Sequence, residues 1–365
     1  MTDRHLQRID RAARGAAEQG LDALVVSPSR DLAYLTGYDP MPLERPTLLV
    51  VRPGAEPAML VPELERPLAA ATSVGDRLEL MAWRDGSDPY EAAASLLAGA
   101  ARIAVADALW AVHLLGLQRR LPEATFSTAS PVLGRLRAVK DRDELDALRR
   151  AGRAADETFR RIVELPFQGR REEEVAGDLA DLLVQHGHTK AAFTIVASGA
   201  NAASPHHEPG GRTILPHDAV VMDFGGELGG YFSDTTRTVV VGEPPPDFEE
   251  AYSVVEAAQA AAVDAVRPGI AAQHIDRTAR AIVDAAGYGD RFIHRTGHGI
   301  GLEVHEPPYI VEGDETPLEP GMTFSVEPGL YLEGRFGIRI EDIVTVTSDG
   351  VERLNRSPRD LKVVA

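Results

Sequence analysis

Residues 4–19 carry Leu6, Ile9, Ala12 and Ala13 at three- and four-residue spacing, and the apolar run 21–26 follows directly, so the chain opens as a helix feeding a strand. Short apolar runs recur at 47–51, 58–61, 78–82 and 103–106, separated by helical stretches at 89–97 and 109–121. This alternation predicts a small α/β domain. Over 141–163 the pattern changes: Leu145, Leu148, Ala151, Ala155 and Phe159 recur every three or four residues behind an acidic first turn. One long helix is expected to open a second region there. Further helices are expected at 172–184, 248–266 and 272–286, with strands at 193–197, 219–224, 233–241, 322–326 and 337–347. Helices and hairpin strands without strict βαβ alternation predict an α+β chain, divided into 1–132 and 133–365.

The 365 residues suffice for two domains. Apolar residues make up 44% and charged residues 26%, with Gly and Pro lacking any fixed period, which excludes fibrous and disordered classes. A net charge of −18 repels phosphate backbones and anionic lipid while attracting cations, so neither nucleic acid nor membrane is an expected partner. The chain has no cysteine, so a metal would have to sit on oxygen and imidazole. Residues 1–15 are charged throughout, and no run approaches 18 apolar residues. A cytoplasmic protein is expected.

The densest chemical signal lies in 219–242, where alternating residues flank Gly229 and Gly230 and predict a β-hairpin. A two-residue turn places Asp223 opposite Thr236, with Asp234 diagonal to Asp223 on the same face and ~7 Å away between Cβ atoms. Segment 293–306 (IHRTGHGIGLEVHE) packs three His among three Gly. Backbone freedom at Gly297, Gly299 and Gly301 would suit a His298 aimed from a loop or strand end. Two further segments, 325–329 (SVEPG) and 337–342 (GIRIED), each set a Glu among apolar strand residues. In the second, alternation puts Arg339 and Glu341 on one face. Asp223, Asp234, His298, Glu327 and Glu341 thus form a set of four carboxylates and one imidazole. Four such charges in one site need about four positive charges to stay ionised, and two divalent cations supply them. Mn(II) suits such donors first, and Co(II) or Zn(II) would also bind.

The order D-x10-D, H-x6-H, SVEPG and GIRIED resembles the pita-bread-fold metallopeptidases, which include methionine aminopeptidases, aminopeptidase P and prolidase. The linker 136–148 (LRAVKDRDELDAL) and 31–38 (DLAYLTGY) extend the similarity over most of the chain. The resemblance implies a C-terminal pita-bread catalytic domain behind a smaller creatinase-like N-terminal α/β domain. It implies that Asp223 chelates one metal, that His298 and Glu327 hold the other, and that Asp234 and Glu341 bridge the two. The large N-terminal domain points to the proline-specific branch: an Xaa-Pro dipeptidase or aminopeptidase acting on small peptides with proline second. By the same resemblance His206 and His305 line the substrate pocket, Glu327 carries a proton, Arg339 orients Glu341 or a neighbouring carboxylate, and the protein is a homodimer. Some prolidases hold the proline carboxylate with an Arg four residues after the second His; here that position is Tyr309. Strict dipeptide recognition thereby loses one support, which leaves longer Xaa-Pro peptides as substrates, and other Arg, including Arg339 or one from a partner subunit, could substitute. Creatinase-like hydrolases, metal-dependent lyases and non-catalytic binding proteins share the fold, but each predicts an altered ligand set or pocket.

Overall fold

The computed structural model describes residues 4–365, and the chain divides into two compact units, Met1–Arg137 and Ala138–Ala365. A cut at 132/133 would fall inside the helix Ser130–Ala138. Its apolar residues Val132 and Leu133 are buried, so the helix is packed through the expected boundary.

In the first unit the order is α1 (Arg4–Glu18), β1 (Ala23–Val26), α2 (Arg30–Thr36), β2 (Leu48–Val51), β3 (Ala58–Pro62), α3 (Arg66–Ala70), β4 (Glu79–Trp83), α4 (Pro89–Leu96), β5 (Arg102–Val105), α5 (Ala111–Arg120), β6 (Thr125–Thr128) and α6 (Ser130–Ala138). The six strands form one mixed sheet, β4-β3-β2-β1-β5-β6. Strands β1 and β2 are buried along their whole length, which is why they read as continuous apolar runs. The edge strand β6 escapes the apolar pattern because Thr125, Ser127 and Thr128 are exposed.

The second unit begins with α7 (Arg142–Ile162). Asp141 and Glu144 cap its start reciprocally, satisfying two otherwise orphaned backbone donors. Then follow α8 (Glu172–Gln185), β7 (Lys190–Ser198), β8 (Ala219–Leu228), β9 (Tyr231–Phe232), β10 (Thr235–Val241), α9 (Phe248–Asp264), α10 (Ala272–Ala285), β11 (Gly297–Gly299), β12 (Glu306–Ile310), β13 (Thr323–Val326), β14 (Gly329–Leu332), β15 (Phe336–Arg339), β16 (Asp342–Val346), β17 (Val351–Arg353) and β18 (Lys362–Val364). One sheet runs β18-β10-β8-β7 with β9 on β8, a second runs β12-β11-β13-β16-β17, and β14 pairs β15. Phe159 of α7 and Leu179 and Leu183 of α8 pack on Val220, Met222 and Phe224 of β8. Phe248 and Val255 of α9, with Ile275 and Ala279 of α10, pack on Phe324, Val326 and Val344.

The β8 hairpin has the expected register: Asp223 pairs Thr236, and Leu228 pairs Tyr231 around Gly229 and Gly230. Both glycines take positive φ, 61° and 87°, as a two-residue hairpin turn of this hand requires. Two expected strands are interrupted. Residues 233–241 begin pairing only at Thr235, and 337–347 splits into β15 and β16, which belong to different sheets. Among the described residues no helix is long and apolar enough to cross a membrane.

Candidate metal centre

Val220, Met222 and Phe224 face the α7/α8 layer, so period-2 alternation turns Asp223 to the opposite side of β8. That side borders a cavity of about 450 Å³. The cavity is lined by all eight residues singled out from the sequence: His206, Asp223, Asp234, His298, His305, Glu327, Arg339 and Glu341. Three of the carboxylates sit where a strand stops: Asp234 between β9 and β10, Glu327 between β13 and β14, Glu341 between β15 and β16. At such breaks the chain leaves its ladder and swings side chains out of the sheet alternation.

Ligand atoms of Asp234, His298 and Glu341 lie within 4.8 Å of one another, and all three residues are buried. His298 Nδ1 is 3.1 Å from the Gly299 carbonyl. That oxygen can only accept, so Nδ1 carries the proton and Nε2 presents a lone pair. Burial, reinforced by His305, pushes His298 down to about 3, which keeps the ring neutral. Yet Nε2 stands 3.3 Å from Glu327 Oε1 and 3.7 Å from Asp234 Oδ2. Acceptors facing acceptors at this range call for a cation between them.

The carboxylates make the same demand. Asp223 Oδ1, Asp234 Oδ1 and Glu341 Oε1 are buried without a hydrogen-bond partner, a costly state unless a cation takes them up. Burial and mutual repulsion raise Asp234 and Glu341 well above the usual carboxylate range, and burial pushes Glu327 up to about 7. The donor set of oxygens and one neutral imidazole fits hard or borderline divalent ions.

The second oxygens of Asp223 and Glu341 are tied to the protein. Arg339 Nη2 donates to Asp223 Oδ2 at 2.6 Å, and Nη1 donates to Tyr331 Oη at 2.9 Å. Thr236 Oγ1 donates to Glu341 Oε2 at 2.7 Å and accepts from Arg339 Nε at 3.1 Å. Arg339 therefore grips Asp223 directly and reaches Glu341 only through Thr236. Arg339 and Glu341 both face the cavity, as their alternation with the core residues Ile338 and Ile340 predicts, although the chain leaves β15 between them.

His207 Nε2 turns to Glu172 Oε2 at 2.9 Å, leaving His206 to line the cavity. None of Gly297, Gly299 and Gly301 takes a left-handed φ. These glycines serve close approach instead: a Cβ on Gly297 would lie 1.9 Å from the Ser325 carbonyl, so only glycine lets the His298 strand meet the strand leading to Glu327.

Sequence reasoning passed over Thr236, Tyr331, His294 and Arg295. His294 and Arg295 also line the cavity. His294 Nδ1 donates to the Arg295 carbonyl at 2.7 Å, so its Nε2 accepts from Tyr331 Oη at 2.8 Å. The three-histidine cluster was the available signal for His294; a threonine and a tyrosine in apolar strands gave none.

The model of metallopeptidase family M24 matches residues 146–348, and that of the creatinase/prolidase N-terminal domain matches residues 8–139. The chain is 45% identical to the probable dipeptidase PepE of Mycobacterium tuberculosis, over 99% of this chain and 96% of that protein. It is 36% identical to the Xaa-Pro dipeptidase of Lactobacillus delbrueckii subsp. lactis, over 98% of each. The crystal structure of dipeptidase PepE from Mycobacterium ulcerans matches with a TM-score of 0.96 at 44% identity, over 99% of this chain and 98% of that one.

Proposed function

This chain belongs to metallopeptidase family M24, with a pita-bread catalytic domain behind a creatinase-like N-terminal domain, and from that premise we propose that it hydrolyses the Xaa-Pro bond of dipeptides or short peptides at two divalent cations. Membership makes it a peptidase that works with divalent metal. The observation that carries the finer reading is the convergence of ligand atoms of Asp234, His298 and Glu341 within 4.8 Å of one another, in a cavity whose lining holds three unpartnered carboxylate oxygens. Asp223, Asp234, His298, Glu327 and Glu341 would hold the cations, with Mn(II) preferred and Co(II) or Zn(II) accepted. The Xaa-Pro dipeptidases among its relatives support the choice of bond.

Bound there, divalent cations polarise a carbonyl and bring the pKa of a coordinated water from ~15.7 to near 7. The remaining work falls to side chains. Glu327, which lines the cavity 3.3 Å from His298 Nε2, would accept a proton from the attacking water and pass it to the proline nitrogen. His206 and His305 line the same cavity, and one of them donates to the developing oxyanion, a contribution of about 3–4 kcal/mol for one well-placed donor. The acidic wall attracts the free α-ammonium of the substrate.

Arg339 is engaged with Asp223 and Tyr331, so we assign recognition of a dipeptide's carboxylate to Arg295. Its guanidinium lies over the Tyr309 ring, 4.6 Å from the centroid, and the residue lines the cavity. Arg295→Gln is expected to raise KM for Xaa-Pro dipeptides about tenfold or more, the worth of a charged hydrogen bond, with little change for Xaa-Pro-Yaa tripeptides. Equal effects on both substrates would refute this assignment. Thr236→Val removes the hydroxyl joining Glu341 to Arg339. It should weaken Mn(II) binding by about 10–100-fold, and unchanged affinity in a titration would remove Thr236 from the site's support.

Release of free proline from Xaa-Pro dipeptides, and of the first residue from Xaa-Pro-Yaa tripeptides, tests the function itself. Activity on neither, with metal bound, overturns the Xaa-Pro reading. The proposal includes a cytoplasmic homodimer acting on small peptides, which light scattering and fractionation would check.

A further inference from the structure

Glu306, the residue after His305, takes part in a buried ion pair that the reaction above does not use. Lys140 Nζ lies 2.8 Å from Glu306 Oε1, with the two side chains 1% and 2% exposed. Lys140 is one of three lysines in the chain, and its backbone N–H donates to the Gly321 carbonyl at 3.0 Å. The chain after His298 closes tightly over the pair: a Cβ on Gly301 would sit 2.5 Å from Glu306 Oε1 and 3.1 Å from Lys140 Cε. Through its backbone Glu306 pairs with Gly299, where the β11/β12 register shifts just after His298. The His298 and His305 rings meet edge to face, 4.0 Å between centroids.

One carboxylate is thus adjacent in sequence to His305, opposite the neighbour of His298, and held by the Lys140 ammonium. A buried ion pair is generally no more stabilising than an apolar pair of the same volume, because desolvation offsets the attraction. What it supplies here is direction. We propose that Lys140, through Glu306, is a positioning residue that fixes the His305 imidazole against His298 in the cavity. The proposal rests on reading this cavity as the peptidase site.

Lys140→Met alone takes the ammonium from a buried carboxylate and should lower Tm, so the informative variant is Lys140→Met/Glu306→Gln, which removes both charges together. Three results are expected in the double variant: a Tm within a few degrees of wild type, a kcat on an Xaa-Pro dipeptide reduced at least about tenfold with KM little changed, and a displaced His305 ring resonance in imidazole NMR of the metal-free protein. Wild-type kcat together with an unmoved His305 resonance would overturn the proposal. A double variant that fails to fold would also overturn it, by making the pair purely structural. If the wild-type protein cleaves no Xaa-Pro peptide, the functional reading fails, while the His305 resonance still decides the positioning role.

Discussion

Asp234→Asn is expected to abolish turnover while leaving the fold intact or firmer. Asp234 is buried with one oxygen unpartnered, and Glu341, Asp223 and Glu327 all raise its pKa after burial itself. Replacing it with an amide removes one charge from a crowded cluster, so the metal-free protein should keep or gain Tm. The same change removes an oxygen donor that belongs to the tight group with His298 and Glu341. The loss in kcat/KM should exceed the ~100-fold seen for residues that merely support a ligand, or more than ~2.7 kcal/mol of transition-state stabilisation. Near wild-type kcat/KM with normal metal content would show that the proposed bridging role is wrong.

The second large effect is on stability. In the metal-free protein Glu327 is raised to about 7, and Asp234 and Glu341 are raised well above the usual range, in each case chiefly by burial. A carboxyl held protonated in the fold contributes stability below its unfolded pKa and loses it as pH rises to its folded pKa. Burial acts oppositely on His294 and His298, each lowered to about 3; their penalty on the folded state disappears as pH rises to ~6.5. The two trends oppose each other between ~4.5 and ~6.5, and only the carboxyl loss continues above. With three carboxyls losing and two imidazoles gaining, metal-free Tm should decline gently up to pH 6.5 and more steeply toward pH 8.5. Saturating Mn(II) at pH 8.5 should restore several degrees, since a ligand at ~100 times its Kd adds ~2.7 kcal/mol and each kcal/mol moves Tm by ~2–4 °C at this domain size. A Tm that stays level above pH 6.5 and ignores Mn(II) would contradict the buried-carboxylate account.

The long α7 helix, the β8 hairpin register and the eight cavity residues were legible because each depends on local spacing or on a short motif. Helix α7 shows its three- and four-residue apolar recurrence and its cap within one stretch, and the Gly229–Gly230 turn sets which residue faces Asp223. Less legible was residue 341. Alternation across 337–342 is unbroken in sequence, yet the backbone passes there from β15 to β16. Glu341 still faces the cavity with Arg339, but its hydrogen bond comes from Thr236. His206 and its neighbour His207 illustrate the same limit from the other side: the family resemblance selected His206, but the partner occupying His207 is Glu172, more than thirty positions earlier.

By itself, the amino-acid order determined the helices, the hairpin, the absence of thiol chemistry and an oxygen-rich donor set carrying one imidazole, because periodicity and composition are properties of neighbours along the chain. Tertiary structure alone decided which oxygens remain unpartnered, which face of His298 carries its lone pair, that Arg339 is committed to Asp223, and that Lys140 reaches Glu306. Those outcomes depend on three-dimensional distances between strands from separate sheets and on the burial that shifts each proton, and neither quantity exists until the chain has packed.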